Sequence, residues 1–543
     1  MSSMSYTDIT NEIVSEFLQT VVILDDESYL KEPNLADEEP VADEEPVDDV
    51  EPEILDPNPR GEVVAEENAP EELRRPSRQN ELDAKLLIDS FAENGQLCAV
   101  LLPEEGNDLV EHTKKIAKNA DVVILDWQIK QDSGQTARTI IDHITQKDNE
   151  SGGRLRLFVI YTGELDLYKC AESIKEEIPI FENHDKENNI LRSKSSLVKL
   201  ITKHDGRDDL SEGIREKDLP DIIISTFAEF AGGLVPNSVM TAINQVRENT
   251  HHVLQRFSKE LDGSFIAHRI LLEDHEDASG YLIELIADEL KSMFDLSSIG
   301  EKTVGFEVLK KYLNDEKYPL ERLQIIKKNG TSIEQLSKEQ VLLALQNKPL
   351  DKVWGKLTTL HERIHPLFHG NIEEGKKRFL ELSRISSLRF ELKSQNRKVP
   401  PRLKLGSIVR SELTGDFYVC LQPLCDCQRM KAEKENPFIF GKFTKSNSKF
   451  DLVVNYQGVD NCLSFRHKPF ETKVFNFKSG NYTCIIPEKS NDNWIFKSIE
   501  DSQLVWLAEL RPAFAQRLIH RITTQLSRIG VDEFEWQRLY AGG

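Results

Sequence analysis

Thr20–Glu27 reads TVVILDDE: five apolar or β-branched residues, then an acidic run. A stretch of that length and composition has the form of a strand buried on both faces, with Asp25 and Asp26 just past its carboxyl end. Three further stretches repeat the form. Asp121–Leu125 stops at Asp126, Arg156–Tyr161 at Thr162, and Leu197–Thr202 at Lys203. In an open parallel sheet the carboxyl ends of the strands converge on one rim, and ligands bind outside that rim. Three carboxylates, a hydroxyl and an ammonium are therefore expected in one small pocket.

Around these strands the pattern alternates. Helices are expected over Ile9–Gln19, Glu81–Asn94, Asp108–Lys118, Gln135–Thr145 and Leu165–Glu177, and another strand over Gln96–Leu102. Five strands alternating with helices predict an α/β domain with a doubly wound, five-stranded parallel sheet and right-handed crossovers. Ile180–Lys194 fits less well and reads as an extra hairpin before the fifth strand. Lys31–Asn80 breaks the alternation with 17 Asp/Glu against 5 Lys/Arg, eight prolines and the near-repeat DEEPVADEEPV (Asp37–Val47). Such a segment buries too little apolar surface to offset its ordering entropy, so disorder is expected. It serves either as a solvated linker or as a docking tail for a basic partner.

Beyond Glu216 the apolar period turns helical, with Ile222–Ala231, Val239–Lys259, Ala278–Phe294, Phe306–Leu313 and Glu374–Lys393 as the expected helices. Pro400–Pro401 mark a boundary. Leu403–Ile486 is strand-rich, and a last amphipathic helix covers Pro512–Ile529. The expected organisation is an α/β domain from residues 1–30 and 81–212, an acidic insertion at 31–80, a helical domain at 213–398, and a β-rich α+β domain at 399–543 that includes the final helix.

The chain has 543 residues and a formal net charge of −24, about half of it from the insertion. No Lys/Arg stripe stands out, so a nucleic-acid partner is not expected. No apolar run reaches the roughly 18 residues that a spanning helix needs. The N-terminus lacks a signal peptide's basic start and apolar core. Seven scattered cysteines read as reduced thiols. A cytoplasmic protein with no membrane association is the expectation.

The residue types at the rim suit a phosphoryl-accepting aspartate. Asp126 would be the nucleophile and would form an acyl phosphate. A hard cation, Mg²⁺, would be held by Asp26, by Asp25 directly or through water, by Asp126, and by the backbone carbonyl of Gln128. Lys203 would pair with Asp126 or with its phosphoryl oxygens. The Thr162 hydroxyl would bind a phosphoryl oxygen, and Gly163 would keep the approach open. Such transfer depends on positioning and charge neutralisation, with little covalent work for the protein.

TVVILDDE (Thr20–Glu27), VVILDW (Val122–Trp127), VIYTGE (Val159–Glu164) and LITKHDG (Leu200–Gly206), with Gly134 in the loop after the acceptor, resemble the flavodoxin-like receiver domain of bacterial response regulators. The resemblance covers Ile9–Gly206 without the insertion. It implies a two-component phosphoprotein served by a sensor histidine kinase. Gln128 and Glu164 fall where receivers tune acyl-phosphate lifetime, so a lifetime of minutes or less is expected. This sequence departs from the pattern in four places. The insertion splits the first strand from its helix. Lys130 and His204 stand where proline is usual, and Leu200 stands where a switch aromatic is frequent.

LPDIIISTFAEFAGGLVPN (Leu219–Asn237) and VCLQPLCD (Val419–Asp426) look like an atypical receiver group of bacterial multi-gene systems, including the Detocs anti-phage phosphorelays. That likeness implies a non-enzymatic, effector-less receiver protein that buffers phosphate, with another receiver or effector of the same system as a further partner. An alternative is a phosphorylation-switched adaptor that binds a partner through its helical and C-terminal domains. A third reading, an effector enzyme in the C-terminal half, finds no nucleophile elbow, P-loop or HExxH to support it. Cys420, Cys425, Cys427 and Cys462 invite a zinc reading, but C-x₄-C-x-C is no standard knuckle, and packing as small apolar groups is favoured. His251, His252 and His268 are weighed as a phosphotransfer histidine against surface or packing roles.

Overall fold

The computed structural model describes residues 4–26, 28–29, 82–102, 109–150, 153–204, 213–272, 275–315, 324–326, 333–335, 338–346, 372–391, 399–428, 430, 434–446, 449–480, 482–491, 493–527 and 540. The expectations for 31–80 lie outside these residues. The chain divides into two compact units, one of residues 8–241 and one of residues 1–7 with 242–543.

In the first unit, α1 (Tyr6–Phe17) leads into β1 (Thr20–Leu24), followed by α2 (Ala84–Glu93), β2 (Leu97–Leu101), α3 (Leu109–Ala117) and β3 (Val122–Leu125). Then come α4 (Gln135–Glu150), β4 (Arg156–Thr162), α5 (Leu167–Glu177), the short strands β5 (Asn183–Asp185) and β6 (Ile190–Arg192), β7 (Ser196–Thr202) and α6 (Leu219–Ala231). The sheet order is β2-β1-β3-β4-β7-β6-β5. The first five strands pair in parallel, and β6 and β5 add antiparallel. The doubly wound five-stranded sheet and the extra hairpin are thus both present.

Successive side chains of a strand face opposite sides, and the core divides accordingly. Val21, Ile23, Val122, Ile124, Val159 and Ile201 meet α1, α2 and α6 on one face. Val22, Leu24, Val123, Leu125, Ile160 and Leu200 meet α4 and α5 on the other, where Ala117 of α3 also packs. Both faces are covered, which explains why these strands carry almost unbroken runs of Val, Ile and Leu. Two residues on either side of the acidic insertion pair in parallel, Ser28 with Leu82 and Tyr29 with Asp83. Asp83 then caps α2 by accepting a hydrogen bond from the Leu86 amide (3.0 Å).

One boundary differs from expectation. Helix α6 was expected to open a separate helical domain, yet Leu219, Ile223, Ile224 and Phe227 pack on the parallel sheet. Its amphipathic pattern does not say which apolar surface it covers. It completes the alternation as the helix after the fifth strand. The compact unit closes inside the next helix, α7 (Leu234–Glu248).

In the second unit the helix expected over Val239–Lys259 is broken. Helix α7 stops at Glu248, and α8 (Thr250–Arg256) starts anew. The break falls at Asn249, whose φ of −108° and ψ of 18° leave the helical region and whose side chain donates to the Gln245 carbonyl (2.8 Å). Helices α9 (Asp262–Leu271), α10 (Glu276–Leu296), α11 (Ile299–Val304), α12 (Phe306–Asn314) and α13 (Lys338–Leu345) follow. The helix expected over Glu374–Lys393 also ends early. Helix α14 runs from Ile372 to Ser387, and Leu388–Glu391 continues as a strand, β8. The Ser387 hydroxyl bonds back to the Ser383 carbonyl (2.9 Å), and β8 gains a ladder on the last strand of the C-terminal sheet.

That sheet is antiparallel. Its strands are β8, β9 (Ser407–Ser411), β10 (Phe417–Cys420), β11 (Glu435–Lys445), β12 (Leu452–Tyr456), β13 (Val459–Phe465), β14 (Lys473–Lys478), β15 (Glu488–Ser490), β16 (Asn493–Lys497) and β17 (Gln503–Leu510). Their main order is β12-β13-β11-β10-β9-β17-β16-β15, with β8 on β17 and β14 on β11. Helix α15 (Pro512–Leu526) covers one face through Ala515, Leu518 and Ile522. Among the described residues no single helix is long and apolar enough to cross a membrane.

Candidate functional site

Parallel pairing sets the rim. Leu24 pairs with Leu125, Leu125 with Ile160, and Thr162 with Thr202, so the residues just beyond these strands come out side by side. Asp25, Asp26 and Asp126 offer carboxylate oxygens that all lie within 4.8 Å of one another. Among the described residues this is the one group of three or more His, Cys, Asp or Glu side chains placed to share an ion. Asp25 is 2% exposed and Asp126 7% exposed.

Lys203 reaches this group from β7. Its Nζ lies 2.7 Å from Asp25 Oδ2 and 3.4 Å from Asp126 Oδ2. Burial alone would push the ammonium toward its neutral form, but the charges of Asp126 and Asp25 and their hydrogen bonds outweigh it, so its pKa lies above the ordinary lysine value. Lys203 thus pairs with two of the three carboxylates. A compact cluster of hard oxygen donors of this kind suits a small divalent cation such as Mg²⁺. The Gln128 carbonyl, the fourth expected ligand, accepts from the Gln131 amide (2.7 Å) in a 3₁₀ turn and keeps a second lone pair.

Asp126 is held firmly. Its amide donates to the Leu24 carbonyl (3.0 Å), and the Trp127 amide donates to Asp126 Oδ1 (2.6 Å). The loop after it depends on Gly134, whose φ of +83° favours glycine and where a Cβ would land inside the Trp127 indole. The Arg138 guanidinium lies 5.3 Å from the centre of the Trp127 ring.

Thr162 is fully buried at the end of β4, and its hydroxyl accepts from the Glu164 amide (3.3 Å). Its carbonyl accepts from the Lys203 amide (2.8 Å). The Gln128 side-chain amide donates to Glu164 Oε1, while Gln128 Oε1 accepts from the Ser133 amide (3.3 Å). The two residues expected to flank the acceptor thus join each other beside it. Leu200, in the place of a switch aromatic, is buried in the core.

Tyr161 was overlooked at the sequence level. A tyrosine in an apolar strand reads as core, and it is indeed buried. Yet its hydroxyl donates to the Ile214 carbonyl (2.7 Å), and Lys203 Nζ stands 5.8 Å from its ring centre. Burial, with smaller contributions from Glu216, Asp25 and Asp218, pushes that phenol far above its ordinary pKa, so it keeps its proton. Its neighbour Thr162 was the only available signal.

The other candidates do not assemble. Cys420 and Cys427 are buried among Tyr418, Phe438 and Phe440, Cys462 is half-buried, and Cys425 is exposed. The four form no ligand group. Burial raises the Cys420 thiol well above its ordinary value. The His251 and His252 rings on α8 are tilted at 41° with centres 3.8 Å apart, and both are exposed, as is His268 on α9.

Residues 17–208, about a third of the chain, match the family model described as the response receiver domain. No curated protein and no solved structure matches the chain. The match supports a response-regulator receiver protein, and with it a phosphoacceptor role served by a phosphodonor such as a histidine kinase. The acidic group at Asp25, Asp26 and Asp126 is of the kind through which receiver domains bind Mg²⁺.

Proposed function

We propose that this chain accepts a phosphoryl group from a sensor histidine kinase onto Asp126 and discharges it to water, acting as a cytoplasmic phosphate sink in a bacterial anti-phage phosphorelay, with no effector activity of its own. The observation that carries the acceptor reading is the trio of carboxylates within 4.8 Å, faced by a buried lysine. An oxygen of Asp126 attacks the phosphorus of a phosphohistidine. A P–O bond forms, the N–P bond breaks, and the electron pair returns to the imidazole. Asp25, Asp26, Asp126 and the Gln128 carbonyl would hold Mg²⁺, which when bound neutralises the incoming charge. The Trp127 amide fixes one oxygen of Asp126. The Lys203 ammonium, already on the Asp126 Oδ2 side, is placed to take a phosphoryl oxygen, with Thr162 on the neighbouring strand to take another. In discharge, water attacks phosphorus, inorganic phosphate leaves, and the carboxylate is restored. Gln128 and Glu164, which bond to each other beside the acceptor, would orient that water.

The sink role is supported by the likeness of Leu219–Asn237 and Val419–Asp426 to the receiver proteins of such phosphorelays. One observation favours the second reading, a phosphorylation-switched adaptor: the backbone of Lys203 bridges directly to Ile214, just before α6. Incubation with Mg²⁺ and acetyl phosphate, followed by intact mass, tests the acceptor. One phosphoryl group is expected on the wild type and none on Asp126→Asn, and equal gains on both would remove Asp126 from its role. After donor removal the sink reading expects phosphate loss within minutes, and a phosphoform that survives overnight contradicts it. Deleting a sink should make the pathway fire too easily, whereas deleting an adaptor should silence it.

A further inference from the structure

Ile214 lies against the carboxyl end of β7. The Ile214 amide donates to the Thr202 carbonyl (2.9 Å), and the Ile214 carbonyl accepts from the His204 amide (3.1 Å), forming a parallel bridge onto Lys203. The contact is tight. A Cβ on Gly213 would sit 2.5 Å from the Lys203 carbonyl oxygen, so a larger residue would lift this strap from the strand. The strap continues through a 3₁₀ turn, Glu216–Asp218, into α6, which covers one face of the sheet.

The same Ile214 carbonyl is the acceptor for the Tyr161 hydroxyl, whose ring lies against Lys203. Strand parity explains the arrangement. Tyr161 and Ile201 are register partners whose side chains enter the same core, and Lys203, two residues beyond Ile201, falls on that same side. Tyr161 therefore stands with its ring centre 5.8 Å from the functional ammonium and its hydroxyl on the Ile214 carbonyl of the strap that leads into α6. Leu200, by contrast, carries no polar atom with which to report on the site.

We infer that Tyr161 is a positioning residue that couples the Lys203 ammonium to the Ile214 strap and the root of α6. The inference rests on the reading of Asp126 as the phosphoryl acceptor. When Lys203 turns from Asp25 to a phosphoryl oxygen, the charge leaning on the Tyr161 ring is displaced. The hydroxyl anchor passes that displacement to Ile214 and so to the first turn of α6. Leu200, at the position of the frequent aromatic switch, lies in the core on the opposite face of the sheet from Tyr161.

The test is hydrogen–deuterium exchange on the full chain with Mg²⁺, with and without acetyl phosphate, with intact mass read in parallel. In the wild type, phosphorylation should change exchange over residues 213–218 by about tenfold. Tyr161→Phe keeps the ring and loses the anchor. It should be phosphorylated within about twofold of the wild-type rate, because the ring contact is retained, and should lose the exchange response. Gly213→Ala, which lifts the strap without touching Tyr161, should lose the response as well. A purely structural role for Tyr161 would leave the response intact in Tyr161→Phe. Full phosphorylation of the wild type with unchanged exchange at 213–218, or a full response in Tyr161→Phe, overturns the coupling and leaves the acceptor reading standing. Absence of a mass gain in the wild type overturns the acceptor reading and the coupling together.

Discussion

The two large sheets of this chain bury apolar strands on both faces, but they dispose of their charges differently. In the N-terminal sheet β1, β3, β4 and β7 run the same way, so polar residues placed after each strand gather at one edge. In the C-terminal sheet neighbours alternate in direction, and residues after successive strands go to opposite ends. Its ion pairs are correspondingly dispersed: Asp416 with Lys442, Asp451 with Arg521, and Glu488 with Lys497. The difference teaches that a reactive cluster can be assembled from residues far apart in sequence with no special loop design, provided the strands are parallel.

If the charges at the parallel rim form one functional unit, the largest effect should come from removing its cation. Lys203→Met leaves three carboxylates close together, two of them deeply buried. It should cost about 3 kcal/mol or more in urea unfolding without divalent cations, as breaking a buried pair does. Part of that loss should return with Mg²⁺. A loss under 1 kcal/mol, or one indifferent to Mg²⁺, would place Lys203 outside the unit.

A smaller effect is expected one layer out. Gly134→Ala must place a methyl in the Trp127 ring at a positive φ, which should destabilise by about 1–3 kcal/mol and lower the melting temperature. An unchanged melting temperature would show that the loop after Asp126 has freedom to spare.

The smallest effect belongs to the antiparallel sheet. Burial works against ionisation of Asp416, but hydrogen bonds from Lys442, Thr414 and Tyr418 and the Lys442 charge prevail, so its pKa lies below the ordinary aspartate value. A depressed folded pKa contributes stability that is complete above the unfolded value and is lost as pH falls through the folded one. Comparing wild type with Asp416→Asn should therefore give a difference of less than about 1 kcal/mol at neutral pH that vanishes in strong acid. A difference that persists at pH 2 would need another cause.

Much of this was readable from residues alone. Strands buried on both faces announce themselves as Val, Ile and Leu runs, and their first polar residues mark the rim, which is how Asp25, Asp26, Asp126, Thr162 and Lys203 could be named together. Even the β5–β6 hairpin left a trace, as a stretch that suited neither helix nor buried strand. What escaped notice depends on tertiary context. Helix α6 has the same amphipathic signature as the helices that follow, and nothing local says that it covers the sheet. Asn249 and Ser387 stand where helices stop and carry side-chain bonds to the backbone that periodicity does not register. Tyr161 hid because a phenol in an apolar strand passes for filler until its hydrogen-bond partner is known.

The short parallel pairing of Ser28–Tyr29 with Leu82–Asp83 has its own consequence. It brings the two ends of the chain that flank the acidic insertion together, close in sequence to Asp25 and Asp26. Closure entropy rises with the logarithm of loop length, and halving or doubling the insertion should alter stability by only about 0.6 kcal/mol. That corner is thus expected to accept or shed tens of residues while Asp25 and Asp26 beside it keep their places.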